Sequence, residues 1–384
     1  MKVVHMCLGC FFPDGFSYQE NMLPKFHKQL GYEVEVIASL VTFDKNGKAT
    51  YIEKGSTYEN EYGIPVTRLD NKKPVKIYRI LKRFYGVYEA LEKANPDILF
   101  IHGCQFMDIN KVVKYIKSHR NVTVYVDNHA DASNSGKNFI SRFILHKILW
   151  RRGAKKIEPF TKKFYGVLPA RVDWLTDMYK LPKNKCELLV MGADDEKIEE
   201  AYNNNMREEI RQKYNIGQDD FLIMTGGKID MAKTQTLLLM EAVHNIKKDN
   251  VKLIVFGSVA QELKDKVNEL SDGEKVQYIG WVPSDESYGY WSAADLIVFP
   301  GRHSVFWEQV AGMGIPMVCK YWEGTTHVDT GGNVKFLEDD SVEEIQSMLI
   351  KIMESNIYED MLIAARGENR KQFLYREIAR KSIE

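Results

Sequence analysis

Short apolar runs alternate with longer stretches whose apolar positions recur at helical spacing. VVHMC (3–7) leads through Gly9 and Gly15 into the helical pattern YQENMLPKFHKQL (18–30). EVEVIA (33–38), VTRL (66–69), DILFIHG (97–103) and VTVYVDNH (122–129) are further strand patterns, the last two each preceded by an amphipathic helical stretch. After Asn203-Asn204-Asn205 the alternation restarts with FLIMTGG (221–227), KLIVFG (252–257), KVQYIG (275–280), DLIVFP (295–300) and IPMVC (315–319). Strands alternating with helices predict an α/β chain, with parallel sheets covered on both faces. The first four strand patterns of the second half end in Gly or Pro, the punctuation of a strand turning toward a helix. In doubly wound sheets ligands sit beyond the carboxyl ends of the strands. Lys228, Gly257, Trp281 and the run Gly301 to Ser304 fall at such ends.

A length of 384 residues is too great for one ordinary core, so two domains are expected, 1–190 and 191–366. The stretch 169–195 reads as the passage between them. The charged helical stretch 367–384 is expected to pack back on the first domain. No window approaches the apolar length of a bilayer span. The N-terminal MKVVHMCLGCFF reads as a first strand and loop rather than a signal peptide. Five scattered cysteines (7, 10, 104, 186, 319) exclude a disulfide scaffold and point to a reducing cytosol. Cys7 and Cys10 read as small residues of a tight loop rather than a redox pair.

The net charge of zero hides an asymmetry. Residues 1–190 hold 31 Lys and Arg against 19 Asp and Glu, a net of +12, and the remainder balances it at −12. The first half is therefore expected to face an anionic partner: nucleic acid, anionic lipid or a pyrophosphate-linked substrate.

Two segments carry candidate chemistry. TGGKIDMAK (225–233) sets Lys228 and Lys233 five positions apart, behind the Gly226-Gly227 turn. Lysines neutralise phosphate oxygens, and a helix opened by Gly227 would add backbone N–H groups. FPGRHSVFWEQVAGMGIP (299–316) sets Glu308 at the start of a helical pattern, where a carboxylate is favoured and can accept hydrogen bonds from ribose hydroxyls. Each segment alone fits an ordinary helix start as well. Together they suit a phosphorylated, ribose-bearing ligand.

These segments, with YIGWVPSDESYGYWSAADLIVFPG (278–301), resemble the C-terminal domain of GT-B glycosyltransferases. The nearest type is the large retaining class of sucrose synthases and bacterial capsule and lipopolysaccharide enzymes, the family 4-like glycosyltransferases. Lys228, Lys233, Gly280-Trp281-Val282, Ala293-Ala294-Asp295 and Glu308 fall on the family's positions, and LVMGADD (189–195) stands where it has "PNGVD". The resemblance implies a GT-B fold, two doubly wound Rossmann-like domains facing a cleft. It implies that Lys228 and Lys233 hold a donor diphosphate and Glu308 its ribose. Gly227, Gly301, Arg302, His303 and Ser304 would meet the phosphates or sugar, and Trp281 would lie beside the base. In the first half it implies roles for Gly15, next to Asp14 in the first loop, and for His129. His102, Asp108, Asp127 and Asp131 are further polar candidates.

One departure stands out. The family carries two glutamates eight positions apart, whereas Pro300 stands eight before Glu308 and the intervening loop is shorter. The chain resembles a polysaccharide-assembly subgroup with "HSVxWEQ" (303–309) followed by "WEG…HVDxGGN" (322–333).

The implied activity is transfer of a sugar from a nucleotide-sugar donor, with UDP expected, to a glycan or polyprenyl-diphosphate-linked acceptor in bacterial surface polysaccharide synthesis. The reaction is expected to be retaining and to need neither metal nor other cofactor. The basic apolar stretches 72–86 and 139–163 read as membrane-surface elements drawn to anionic lipid. That reading places the protein in the cytoplasm, peripheral on the inner face of the cell membrane. The rivals are a catalytically silent partner that binds glycan or lipid carrier and a sugar-nucleotide epimerase. Nucleic-acid binding is excluded for want of any binding motif.

Overall fold

The apolar runs become strands of parallel sheets because both of their faces are buried. The computed structural model describes residues 1–43 and 49–384. These form two units, Met1–Val190 with Tyr375–Glu384, and Met191–Leu374.

Unit 1 contains β1 (Lys2–Cys7), β2 (Glu33–Ala38), β3 (Thr57–Glu59), β4 (Pro65–Arg68), β5 (Ile98–His102), β6 (Thr123–Asn128), β7 (Thr161–Gly166) and β8 (Cys186–Leu188). Their order is β8-β7-β6-β5-β1-β2-β4-β3, parallel but for the edge pair β3/β4. Unit 2 contains β9 (Phe221–Gly226), β10 (Val251–Phe256), β11 (Val276–Tyr278), β12 (Leu296–Phe299), β13 (Met317–Lys320) and β14 (Val334–Leu337). Their order is β11-β10-β9-β12-β13-β14, parallel throughout. Counted from its first strand this is 3-2-1-4-5-6, the doubly wound order. The winding reverses between β9 and β12 in unit 2 and between β1 and β5 in unit 1, and each reversal opens a crevice at the carboxyl ends.

Strand alternation sorts the first sheet into two unlike faces. Val4, Met6, Leu99, Ile101, Val124 and Val126 build an aliphatic core on one face. The other carries His5, Phe100, His102, Tyr125 and Tyr165, whose rings contact one another across neighbouring strands. Helix α1 (Gln19–Gln29) and the C-terminal helix Tyr375–Ser382 cover this second face. The tyrosine hydroxyls donate to carbonyls of the last turn and tail, Tyr125 to Ile383 at 2.8 Å and Tyr165 to Lys381 at 3.3 Å.

Some sequence expectations fail for identifiable reasons. The basic stretch 139–163, whose mixture of apolar and basic positions suggests an amphipathic helix, is not one helix. A π-helical segment, Ile140–Trp150, runs into the α-helix Arg151–Ile157, and Lys162 and Lys163 lie on β7. Their apolar neighbours Phe164 and Tyr165 needed a sheet neighbour that only the fold supplies. The stretch 169–195 is mostly unit 1 rather than linker, since it holds the helix Pro169–Asp177 and β8. The stretch 367–384 is divided: a 3-10 turn, Glu368–Phe373, stays with unit 2, and only Tyr375–Glu384 joins unit 1.

Candidate active site

The crevice of unit 2 lies between the ends of β9 and β12. Glycine makes it possible. A Cβ on Gly257 (φ +135°) would stand 1.8 Å from the Gly227 carbonyl oxygen, so the two loops can touch only as bare backbone. Gly227 N–H donates to the Phe256 carbonyl at 3.0 Å, and Ile229 N–H to that of Ser258 at 2.8 Å. The Gly226-Gly227 turn does not itself open a helix. Helix α2 (Gln235–Asn245) begins only after an intervening loop that carries both lysines.

Gly227, Lys228, Lys233, Gly301, Arg302 and Ser304 line one pocket there. Its charge is almost uncompensated. Lys228 is exposed and pairs with Asp230 at 3.3 Å. Lys233 and Arg302 form no ion pair among the described residues. Burial lowers the pKa of Lys233, the Asp230 carboxylate opposes that, and the charges of Arg302 and Lys228 lower it further. Cations gathered against their mutual repulsion beside a helix N-terminus mark a place for an anion.

Glu308 sits in the first turn of α3 (Phe306–Met313) and is fully buried. Its Oε1 accepts from His303 Nε2 at 2.8 Å and from His327 Nε2 at 2.9 Å. Burial by itself would raise its pKa, but the two imidazoles outweigh burial and hold it at about 2. Oε2 is buried and has no partner. Glu308 therefore offers a ligand one open oxygen, not two. His303 spends Nε2 on Glu308 rather than on the crevice. His327 was quoted in the sequence only as part of the "HVD" motif, and its partnership with Glu308 appears only in the fold. The three residues are close enough to hold a metal ion, but the short N···O distances are those of direct hydrogen bonds.

The other expected positions are dispersed. Trp281 is 69% exposed and does not line the pocket. Gly15 lies in unit 1, where its N–H donates to Glu61 Oε1 at 2.9 Å. His129 follows β6 in unit 1, with Nε2 3.3 Å from Asp127 Oδ2 and 3.9 Å from Glu20 Oε1. Asp127 in turn meets His102 Nδ1 at 2.7 Å, since the two are direct cross-strand partners. Asp131 is held by Ser133, Asn134 and Arg171, and Asp108 by the Phe84 N–H with Lys72 and Arg83. Of the candidate carboxylates in unit 1, Asp127 keeps a buried, unpartnered oxygen, Oδ1.

Residues 206–365 match the family model described as Glycosyl transferases group 1. No curated protein sequence matches the chain. A glycosyltransferase from Rickettsia africae is similar in structure, with TM-score 0.68 and 14% identity, over 99% of this chain and 96% of that one. HepE from Anabaena, solved in complex with UDP, has TM-score 0.68 and 14% identity over 99% and 98%. UDP-GlcNAc 2-epimerase from Neisseria meningitidis, bound to UDP-GlcNAc, has TM-score 0.62 and 14% identity over 99% and 98%. The chain thus has the GT-B fold, and its second unit carries the match to glycosyl transferases group 1.

Proposed function

We propose that this protein is a glycosyltransferase that moves a sugar from a UDP-sugar to a glycan or polyprenyl-diphosphate-linked acceptor. One observation carries the reading: Lys228, Lys233 and Arg302 meet at the winding reversal of unit 2, and among the described residues only Lys228 has an ion-pair partner, Asp230. The leaving nucleoside diphosphate gains negative charge as its bond to the sugar breaks. Cations already in place stabilise that state more than the ground state. Gly301 and Ser304 add donors toward the phosphates. The unpartnered Oε2 of Glu308 takes a ribose hydroxyl, and the exposed Trp281 lies beside the base. His129 serves the transferred sugar or the acceptor. The reaction retains configuration at one face, with the leaving phosphate drawing the proton from the acceptor hydroxyl. It uses no metal.

HepE, of the same fold, was solved with UDP, which supports the choice of nucleotide. The decisive test is a thermal-shift panel with UDP, GDP, ADP and CMP. Stabilisation by UDP that disappears in Lys233→Ala and Glu308→Ala supports the reading. No response to any nucleotide favours a silent partner. The fold shared with UDP-GlcNAc 2-epimerase keeps a second reading, tested by solvent deuterium entering the sugar of UDP-GlcNAc without transfer.

The protein also docks on anionic membrane surfaces in this reading, as an enzyme of surface polysaccharide synthesis. Phe139, Ile140, Phe143, Ile144 and Ile148 are exposed along the π-helical segment beside Arg142 and Lys147. Ile77, Ile80 and Tyr85 are exposed near Lys73 and Lys76. Among the described residues no helix is long and apolar enough to cross a membrane. Sedimentation with phosphatidylglycerol vesicles at low salt, lost in Phe139→Ser/Phe143→Ser and weakened by added salt, supports docking. Absence of sedimentation at low salt refutes it.

A further inference from the structure

Three fully buried histidines of unit 1 lie in line: His27 on α1, His5 on β1 and His102 at the end of β5. The His5 ring stacks between the other two, with centroids 5.1 Å and 5.2 Å away. His27 Nε2 lies 2.9 Å from the Ala379 carbonyl oxygen of the C-terminal helix. His27 Nδ1 meets His5 Nε2 at 2.9 Å, and His5 Nδ1 meets His102 Nε2 at 2.9 Å. His102 Nδ1 ends the line on Asp127 Oδ2 at 2.7 Å.

The proton positions follow from one end. A carbonyl oxygen can only accept, and Ser382 Oγ, 3.0 Å from the same nitrogen, donates its own hydrogen to that carbonyl at 2.8 Å, so His27 Nε2 carries the hydrogen. A neutral imidazole has one N–H, so His27 Nδ1 must accept, and His5 Nε2 must donate to it. His5 Nδ1 then accepts, and His102 Nε2 donates. The second nitrogen of His102 faces a carboxylate oxygen that His129 Nε2 also approaches, at 3.3 Å. Both His102 nitrogens are therefore protonated.

We infer that this one-way chain, anchored on the Ala379 carbonyl, holds His102 as a buried imidazolium and Asp127 as its carboxylate, leaving Asp127 Oδ1 open to a hydroxyl of the bound sugar. His5 and His27 are positioning residues in this arrangement, and the C-terminal helix is part of the site although it lies far away in sequence. The ligand-facing role of Oδ1 rests on the glycosyl-transfer reading. The proton arrangement does not.

The surroundings agree. Besides Asp127, His102 faces the charge of Glu20 on α1 and the Cys7 thiol on β1. Burial opposes its charge, yet these groups lift its pKa to about 9. His129 feels Glu20 and Asp127 in one sense and Arg171 in the other. Burial lowers the pKa of Lys82, which faces Cys10 and Cys104. Burial lowers His27 to about 4 and His5 well below its ordinary value, so both stay neutral.

The test is a long-range proton–nitrogen NMR correlation on the full chain labelled with ¹⁵N-histidine. Between about pH 6 and about pH 8, His5 and His27 are expected as Nε2–H tautomers and His102 as doubly protonated. A neutral His102 at about pH 7.5, or a His27 proton on Nδ1, overturns the inference. In His27→Leu, His5 loses its acceptor and can turn its proton toward His102, which then deprotonates at least about one pH unit lower. His27→Gln, which can both donate to Ala379 and accept from His5, is expected to restore the wild-type signature. A His102 unmoved by His27→Leu contradicts the chain. UDP binding is followed on the same samples. A chain that stands while UDP fails to bind refutes only the functional reading, and the converse refutes only the chain.

Discussion

The two winding reversals handle charge in opposite ways. In unit 1 the charges are matched internally: His102 with Asp127, Arg171 with Asp131, and Lys72 and Arg83 with Asp108. In unit 2 the cations stand almost alone, and the buried carboxylate nearby is held by two imidazoles. Matched charge fixes orientation and proton position. Unmatched charge is held at a cost in stability that an anionic ligand can relieve. The sheets are similarly wound, so the difference lies in which side chains the strand ends carry.

The unmatched charge of unit 2 is concentrated at Lys233, which is mostly buried and has no ion-pair partner among the described residues. Lys233→Ala is expected to lower kcat/KM for sugar transfer by about 100- to 1,000-fold while raising thermal stability without ligand. Lys228→Ala should cost only about tenfold, because Lys228 is exposed and already paired with Asp230. Equal losses would mean that burial and pairing do not rank the two lysines.

Acid titration tests the buried groups. The Glu308 pKa is depressed to about 2, so its contribution is complete above its ordinary 4.5 and is lost as pH falls through about 2. That contribution is on the order of 3 kcal/mol, and Glu308→Gln should flatten the limb. His27 acts in unit 1 at a higher pH. Its folded pKa of about 4 lies below the ordinary 6.5, so the unfolded chain binds the proton first. Stability there falls as pH drops from 6.5 toward 4, again by on the order of 3 kcal/mol. His102 has the reverse sign: its contribution is complete below 6.5 and is lost as pH rises toward about 9. Denaturant unfolding across pH, compared with His27→Gln, reads these limbs.

His303→Gln and His327→Gln sharpen the role of the imidazole pair. Each should raise the donor KM by about tenfold with kcat nearly unchanged, since Glu308 stays charged but loses its fixed orientation. The smallest effect is expected at Asp230→Asn, under about 0.5 kcal/mol in stability for an exposed pair.

Much of this was legible in the chain. All five strand patterns of the second half are strands, and the Gly or Pro endings of the first four lie at the carboxyl ends of their strands. Lys228, Lys233, Gly301, Arg302 and Ser304 could be read as neighbours of one pocket because a glycine turn after an apolar run is a local signal, whereas the turn of His303 onto Glu308 could not. β14 was missed, since Val334–Leu337 follows a glycine-rich loop and is short. Trp281 was readable as a motif, but its exposure was not.

The sequence by itself determined the alternation of strand and helix, the glycine turns and the unequal charge of the two halves, because each depends on neighbours in the chain. Tertiary structure alone decided the proton chemistry. Glu308 meets His327 across 19 positions, His5 meets His102 across 97, and His27 meets Ala379 across 352. A histidine carries no local sign of which nitrogen holds its proton. Its partner determines that, and here the partners come from different strands and helices that only the folded chain brings together.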